Sequence, residues 1–481
     1  ETEEAGQWQR QEEGRRLAKA TSRVEQPILG FDRSHTAFRT RGRCDHLATL
    51  RWLPDAGPLS GTPGRRTQWR ERNRKSPYEE SVVRSGEIRA LTGLRIVAAL
   101  WVVLFHFRPL LWEAAPDFAS ALAPIFDCGA QGVDLFFILS GFVLTWNYID
   151  KMGKSWSTRA TLRFLWLRLA RVWPVYLVTL HLAALWIIFT LNVGHIPSEN
   201  VGTLNATSYV RQLLLVQLWF QPFFDGSSWD GPAWSISAEW LAYLIFGVLI
   251  LVIFRVARAT RARSLLWLAF AASLPPVVLL LASGELYTPW SWLPRIVMQF
   301  IAGALACAAV RRLRPSDRTR TGAGYLSILL IGAIVGSLYW MSAHPLPTVR
   351  DSSGLVDLLF LPLVVCMAIG AGTLPALLST RIAVYLGQIS FSLYMVHELV
   401  HTTWIWTAKQ FELVLTGTAG KFTVAGLIAL ALLGAAVLYH VVEEPARRWM
   451  RRMVDVREAS IESRANDTGN VQPIDVSSRA S

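Results

Sequence analysis

Apolar residues gather into long blocks along the middle of the chain. Between residues 96 and 442 the blocks run to about 17–25 residues with few charges, as at 172–193 and 422–442. A helix needs about 20 apolar residues to cross a hydrocarbon core of about 30 Å. The pattern therefore predicts an all-α integral membrane protein, a polytopic bundle of about ten transmembrane helices. The predicted spans lie near residues 90–112, 130–149, 172–193, 234–254, 264–283, 295–310, 323–341, 355–373, 382–406 and 421–442.

A short block at residues 210–224 decides the predicted topology. It carries Arg211 and three glutamines and ends in aromatic residues. If it spans, the basic runs at 255–263 and 311–320 fall outside; if it does not, every basic run falls on one face. That face then holds 20 Lys and Arg in its loops, against four on the other face. The positive-inside rule therefore predicts that the block does not span and that both termini are cytoplasmic.

The composition agrees with a membrane protein and excludes other classes. The chain is 52% hydrophobic and 17% charged, whereas an average soluble chain is about 25% charged. Three of the four cysteines lie in or beside apolar blocks, which argues against a secreted disulfide scaffold. The net charge of +13 comes mostly from short loops between spans. Such charge sets orientation in the bilayer, so we expect no nucleic-acid partner.

The two ends of the chain differ from its middle. Residues 1–85 are rich in Arg, Glu, Gly and Gln, open with Glu and have no sustained apolar period. They are expected to be a disordered or non-native N-terminal extension. Residues 86–452 form the predicted membrane domain, and residues 453–481 a polar, disordered cytoplasmic tail.

Ionisable residues within spans indicate where the function lies, because a charge in hydrocarbon is costly. Arg95 and His106 are 11 residues apart in the first span, so they share a helix face about 16 Å apart. Asp134 and Glu239 lie in the first turns of spans that start at the outer side, at the predicted depth of His106. The same topology puts His397 in the outer half, and Arg168 and Arg171 at the inner face with Arg95. The sequence therefore predicts a two-ended site.

Structural explanations of these residues remain open. Arg168 and Arg171 could instead be positive-inside anchors at the membrane interface. His106 could instead be an interfacial histidine near the end of a span. Asp134 and Glu239 could each pair with a cation inside the bundle or line an aqueous cavity.

The ninth span also contains a motif of zinc proteases. Residues 397–401 read HELVH, the spacing that places two imidazoles on one helix face with a Glu as base. A third ligand is needed, and the candidates that follow, His440, Glu443 and Glu444, lie at the opposite end of the last span. We therefore expect no metal, and an intramembrane zinc protease is a less favoured alternative.

Six segments occur in an order that matches one known family. They are RALTGLRIVAALWVVLFHF (89–107), GVDLFFILSGF (132–142), RFLWLRLARVWPVY (163–176), WSISAEWLAY (234–243), GQISFSLYMVHELV (387–400) and EEPARRWMRR (443–452). Together they resemble acyltransferase family 3, the integral-membrane acyltransferases of bacteria. The departures are small: Thr92 stands where Asp is usual, and Phe391 where Tyr is frequent.

The resemblance implies ten spans with cytoplasmic termini in a bacterial cytoplasmic membrane. It implies acyl-CoA as donor and a hydroxyl, commonly on a sugar, as acceptor. The family's Arg-x10-His element falls on Arg95 and His106, and its RxxR element on Arg168 and Arg171. The short polar tail resembles the stand-alone members, which include exopolysaccharide and macrolide O-acyltransferases.

The predicted function is transfer of an acyl group, expected to be acetyl, from acyl-CoA to a hydroxyl of a sugar, glycolipid or macrolide. His106 is the predicted general base, and Asp134 or Glu239 would orient its ring. No permanently bound cofactor and no covalent acyl-enzyme are expected. A transporter of sugars or antibiotics with a proton relay is the alternative from another class. The remaining predicted site residues are Arg95, Arg168 and Arg171 for the CoA phosphates, with Tyr394 and His397 in support.

Overall fold

The computed structural model describes residues 87–193, 201–223, 228–349 and 352–469, and all regular structure within these ranges is helical. The predicted extension at residues 1–85 lies outside them. The helices are α1 Arg89–Ala114, α2 Pro116–Phe126, α3 Gly132–Met152, α4 Thr158–Asn192, α5 Ala206–Leu213, α6 Trp234–Ala259, α7 Ala262–Ser283, α8 Trp292–Val310, α9 Asp317–Ala343, α10 Asp357–Ile369, α11 Thr373–Leu378, α12 Arg381–Gln410, α13 Gly417–Leu438 and α14 Glu444–Gly469.

Nine helical segments of the described chain are long and apolar enough to cross a membrane. They contain α1, α3, α4, α6, α7, α8, α9, α10 and α13. Helix α12 is 30 residues long but more polar, and it packs against α1, α4 and α13. Its polar side chains are accommodated by these neighbours, which a lipid-facing helix would not allow. The architecture confirms the predicted all-α polytopic bundle.

The doubtful block at residues 210–224 is not a spanning helix in its described part. Helix α5 is only eight residues long, and Asn205 and Ser208 form a capping box at its start. Turns follow it, and Leu215 has a φ of 60°. The prediction that this block does not span is therefore confirmed as far as residue 223.

A glycine sets the approach of α12 to α1. A Cβ built on Gly387 would lie 1.8 Å from the carbonyl oxygen of Thr92. Small residues allow such backbone contact between membrane helices. The two helices run parallel from this contact, which brings His397 beside His106.

Helices α3 and α8 are brought together in the same way. A Cβ on Gly141 would lie 1.9 Å from the carbonyl oxygen of Phe300, and one on Gly303 would lie 2.0 Å from that of Ile138. These two helices also run parallel, as the predicted topology requires of the second and sixth spans. Their first turns consequently meet inside the bundle.

The last helix follows a π turn at Tyr439–Glu443 and packs against α4. It continues to Gly469 and so includes residues 453–469, which the sequence assigns to a disordered tail. Residues 470–481 lie outside the described ranges.

Candidate active site

Three adjoining cavities follow one another along the interior of the bundle. We call them the arginine cavity (about 390 Å³), the central cavity (about 120 Å³) and the histidine cavity (about 320 Å³). Arg95, Arg168 and Arg171 line both the arginine and central cavities. Val133 and Tyr394 line both the central and histidine cavities. The three cavities therefore share wall residues in series, from the arginines at one end to His106 at the other.

The histidine cavity is lined by His106, whose ring contacts that of His397. Nδ1 of His397 lies 2.7 Å from the carbonyl oxygen of Tyr394, and its Nε2 lies 3.3 Å from Nδ1 of His106. Nδ1 of His106 is also 2.9 Å from the carbonyl oxygen of Val102. Two of the predicted site residues, His106 and His397, are therefore in contact.

This network fixes the tautomers of both rings. A carbonyl oxygen only accepts, so Nδ1 of neutral His397 carries its proton and Nε2 is an acceptor. Nδ1 of His106 then faces two acceptors and carries a proton itself. Nε2 of His106 keeps its lone pair, which is the arrangement a general base needs.

Asp134 does not contact His106, contrary to the predicted pairing. It is fully buried, and both of its oxygens accept hydrogen bonds from Arg295 on α8, one of them over 3.0 Å. A carboxylate held by a guanidinium fork is charge-compensated and fixed in place. Asp134 therefore joins α3 to α8. Sequence reasoning missed Arg295, although it is an ionisable residue within a predicted span and the same rule would have found it.

Glu239 lies in the central cavity with the three arginines, and not beside His106. Its carboxylate accepts a hydrogen bond of 2.5 Å from Ser140 on α3. The predicted depth was too shallow because α6 begins beneath the turns that follow α5: the hydroxyl of buried Ser237 donates to the carbonyl of Leu215 at 2.9 Å. Neither predicted carboxylate contacts His106, whereas His397 does.

The arginine cavity is lined by five guanidinium groups, the predicted Arg95, Arg168 and Arg171 together with Arg447 and Arg451 of α14. In the part of the chain that is described, Arg95 and Arg168 make no ion pair with a carboxylate. Nε of Arg168 is buried without a hydrogen-bond partner there. These two groups are free to bind an anion.

Arg171 is held differently from its two neighbours. It forms an ion pair with Glu443, which is fully buried in the π turn and also accepts a 2.7 Å hydrogen bond from Ser392. Single π turns within helices occur often at functional sites. Glu443, which was not a predicted site residue, therefore positions Arg171 at the wall of the cavity.

The two histidines of the HExxH string do not belong to one candidate ligand group among the described residues. Nδ1 of His401 lies 3.3 Å from Oε1 of Glu398, and its ring packs near Phe107. Among the described side chains the possible ligand group is instead His106, His397 and Glu398, with ligand atoms within 4.8 Å of one another. The geometry of a HExxH zinc protease is therefore not present in the string.

The acyltransferase domain family matches residues 88–440. The chain belongs to acyltransferase family 3. One relative is the acyltransferase MdmB of Streptomyces mycarofaciens, 30% identical over 393 residues, which cover 77% of this chain and 94% of MdmB. Another is Protein 2 in the picA locus of Rhizobium radiobacter, 31% identical over 196 residues, covering 40% and 94%. No solved structure matches. The protein is a membrane acyltransferase.

The family 3 elements now have positions. Arg95 and His106, from the Arg-x10-His element, open onto the arginine and histidine cavities respectively. Of the eight predicted site residues, Asp134 is the one that neither lines a cavity nor contacts a residue proposed to act there; His397 contacts His106 without lining the cavity.

Proposed function

We propose that the protein transfers an acyl group from acyl-CoA to a hydroxyl of a sugar, glycolipid or macrolide. The observation that carries this is the series of cavities, which links five arginines to a histidine with a free ring nitrogen. Arg95 and His106 lie about 16 Å apart along α1. The arginine end would face the cytoplasm of a bacterial cell, where acyl-CoA is present.

The donor would bind with its phosphates in the arginine cavity. Guanidinium groups bind phosphate oxygens bidentately and stay charged at all working pH values. Arg95 and Arg168 form no ion pair with a carboxylate in the described chain, so they would be the main anion-binding groups. Beside its charged residues, the central cavity has apolar wall residues that include Phe136 and Leu144. It would accept the thin pantetheine arm and bring the thioester past Tyr394.

The transfer step would use His106 as base. Its Nε2 takes the proton of the acceptor hydroxyl as that oxygen attacks the thioester carbonyl carbon. The carbon–sulfur bond then breaks, and the departing CoA thiolate receives the proton from His106. An ester and free CoA result. His397 accepts a hydrogen bond from Nδ1 of His106 and keeps its ring oriented throughout.

The purified chain in lipid nanodiscs provides the test. Radiolabelled acetyl-CoA is mixed with a panel of hydroxylated sugars, glycolipids and macrolides, and products are identified by mass spectrometry. The expected result is an ester product with wild-type protein and a large loss with His106→Gln. Uptake of labelled acceptor into proteoliposomes without acyl-CoA, with no ester product, would favour a transporter and overturn the proposal.

A further inference from the structure

We propose that the histidine cavity binds acceptors that carry a protonated amine beside the reacting hydroxyl, as in amino sugars. Glu398 and the aromatic walls of the cavity would hold the ammonium group, and the hydroxyl would then face His106. This inference rests on the proposed function and names its acceptor class.

Glu398 is the charged group in the wall of this cavity. Its Oε1 lies 3.3 Å from Nδ1 of His401. A neutral histidine can donate one hydrogen bond, so this contact does not require a charged His401. Its Oε2 is buried and has no hydrogen-bond partner among the described residues. The Glu398 side chain as a whole is 26% exposed and lines the cavity, so a ligand that supplies a positive charge or a donor would approach its carboxylate from there.

The nearby arginines do not supply that charge. Arg108 lies at the same end of α1 and pairs with Asp127, 3.3 Å away. Arg295 pairs with Asp134. Within the described ranges neither Lys nor Arg forms an ion pair with Glu398, and its ion-pair partner there is His401, at 3.3 Å.

The other walls of the cavity favour a cation over a polyhydroxylated sugar. Four aromatic rings line it, those of Phe105, Trp234, Tyr287 and Tyr394. Aromatic faces attract cations through their quadrupole. They do not form the strong hydrogen bonds with hydroxyl groups that amides and carboxylates form. The hydroxyl of Tyr394 is already engaged with Ser235, at 2.8 Å. A neutral polyol would therefore leave most of its hydroxyls unpaired here.

The distances also fit an amine and a hydroxyl on neighbouring carbons. A carboxylate oxygen of Glu398 and a ring nitrogen of His106 lie within 4.8 Å of each other. A ligand whose ammonium group is held by Glu398 would thus present its adjacent hydroxyl to the base. The protonated amine has no lone pair and cannot attack the thioester, so the acyl group goes to oxygen.

The experiment compares matched acceptors in nanodiscs with acetyl-CoA. The probes are macrolides with a dimethylamino sugar and their N-oxides, which have no net charge, together with methyl aminoglucosides and the corresponding methyl glucosides. The measured quantity is the ratio of kcat/KM for the cationic acceptor to that for its neutral partner. For wild-type protein we expect a ratio of at least tenfold. In Glu398→Gln, which keeps the shape and the contact with His401, the ratio should fall at least tenfold through KM.

The ratio is independent of how much of a variant is folded. Glu412→Gln, an exposed acid two residues beyond the end of the same helix, is the matched control and should leave the ratio at the wild-type value. Equal use of cationic and neutral acceptors, or an unchanged ratio in Glu398→Gln, would overturn the inference and leave the proposed function standing. If wild-type protein acylates no acceptor of either kind, the proposed function itself fails and the inference with it.

Discussion

Nε2 of His397 lies 3.3 Å from Nδ1 of His106, and the two side chains come from parallel helices that touch at Gly387. The group behind the proposed base is thus a neutral imidazole and not a carboxylate. A carboxylate in this place would stabilise the imidazolium by charge. A neutral histidine instead fixes the tautomer and the ring angle, so catalysis here would depend on geometry more than on a local ion pair.

Replacing His106 by Gln should remove the base and leave donor binding intact. Gln has a polar group of similar size but cannot take a proton at working pH. We expect the chemical step to slow by about 10²- to 10⁴-fold, with acyl-CoA affinity changed little. Single-turnover rates and acyl-CoA titrations on purified protein measure both quantities. His181→Gln, on an exposed face of α4, is the control; near-normal chemistry in His106→Gln would place the base elsewhere.

Replacing His397 by Phe should lower kcat by less than the loss of the base itself, so by less than about 10²-fold on the usual scale of general-base catalysis. Phe fills the ring volume but cannot accept a hydrogen bond from His106, which then keeps only the carbonyl of Val102 as an orienting partner. KM for acyl-CoA should stay constant while kcat falls. A rise in that KM with unchanged kcat would mean that His397 serves binding and not the orientation of the base.

The sequence predicted where the long helices lie and which of them carry ionisable residues, because spacing along one helix determines which face and which depth a residue occupies. Arg95 and His106 follow from that rule alone. It could not predict contacts between helices, since these depend on where two helices cross. The partner of Asp134 is Arg295 because Gly141 and Gly303 bring α3 against α8. The depth of Glu239 depends on the buried start of α6, which no residue pattern revealed.

Arg168→Ala should chiefly weaken acyl-CoA binding. The change removes charge-assisted hydrogen bonds worth about 1.5–3 kcal/mol, which corresponds to roughly a 10- to 150-fold increase in Kd. The rate of a single turnover at saturating donor should change much less. Arg318→Ala, an exposed arginine at the start of α9, is the control for lost positive charge. Equal effects of the two substitutions would mean that Arg168 contributes only to general electrostatic attraction.

Asp134→Asn should destabilise the protein without a specific effect on chemistry. Breaking a buried ion pair removes a counter-charge of Arg295 and costs about 3–5 kcal/mol. The double variant Asp134→Leu with Arg295→Met removes both charges and should recover most of the lost thermal stability in detergent. Activity per folded molecule should recover with it. If the double variant is stable but inactive, the pair has a role in the reaction that its geometry does not reveal.

The orientation of the bundle can be tested with single cysteines in a background without the native ones. The arginine end is predicted to face the cytoplasm because the basic loops gather there. Cysteines at Arg261 and Ser316 should therefore react with an impermeant maleimide only after the cells are opened. A cysteine at Glu412, beyond the opposite end of α12, should react in intact cells. In the predicted ten-span topology Ser227 and Asp351 fall in outer loops, and both lie outside the described residues. Labelling of the 261 position in intact cells, with no labelling at 412, would show that the bundle has the opposite orientation. Acyl-CoA from the cytoplasm would then not reach the arginine cavity.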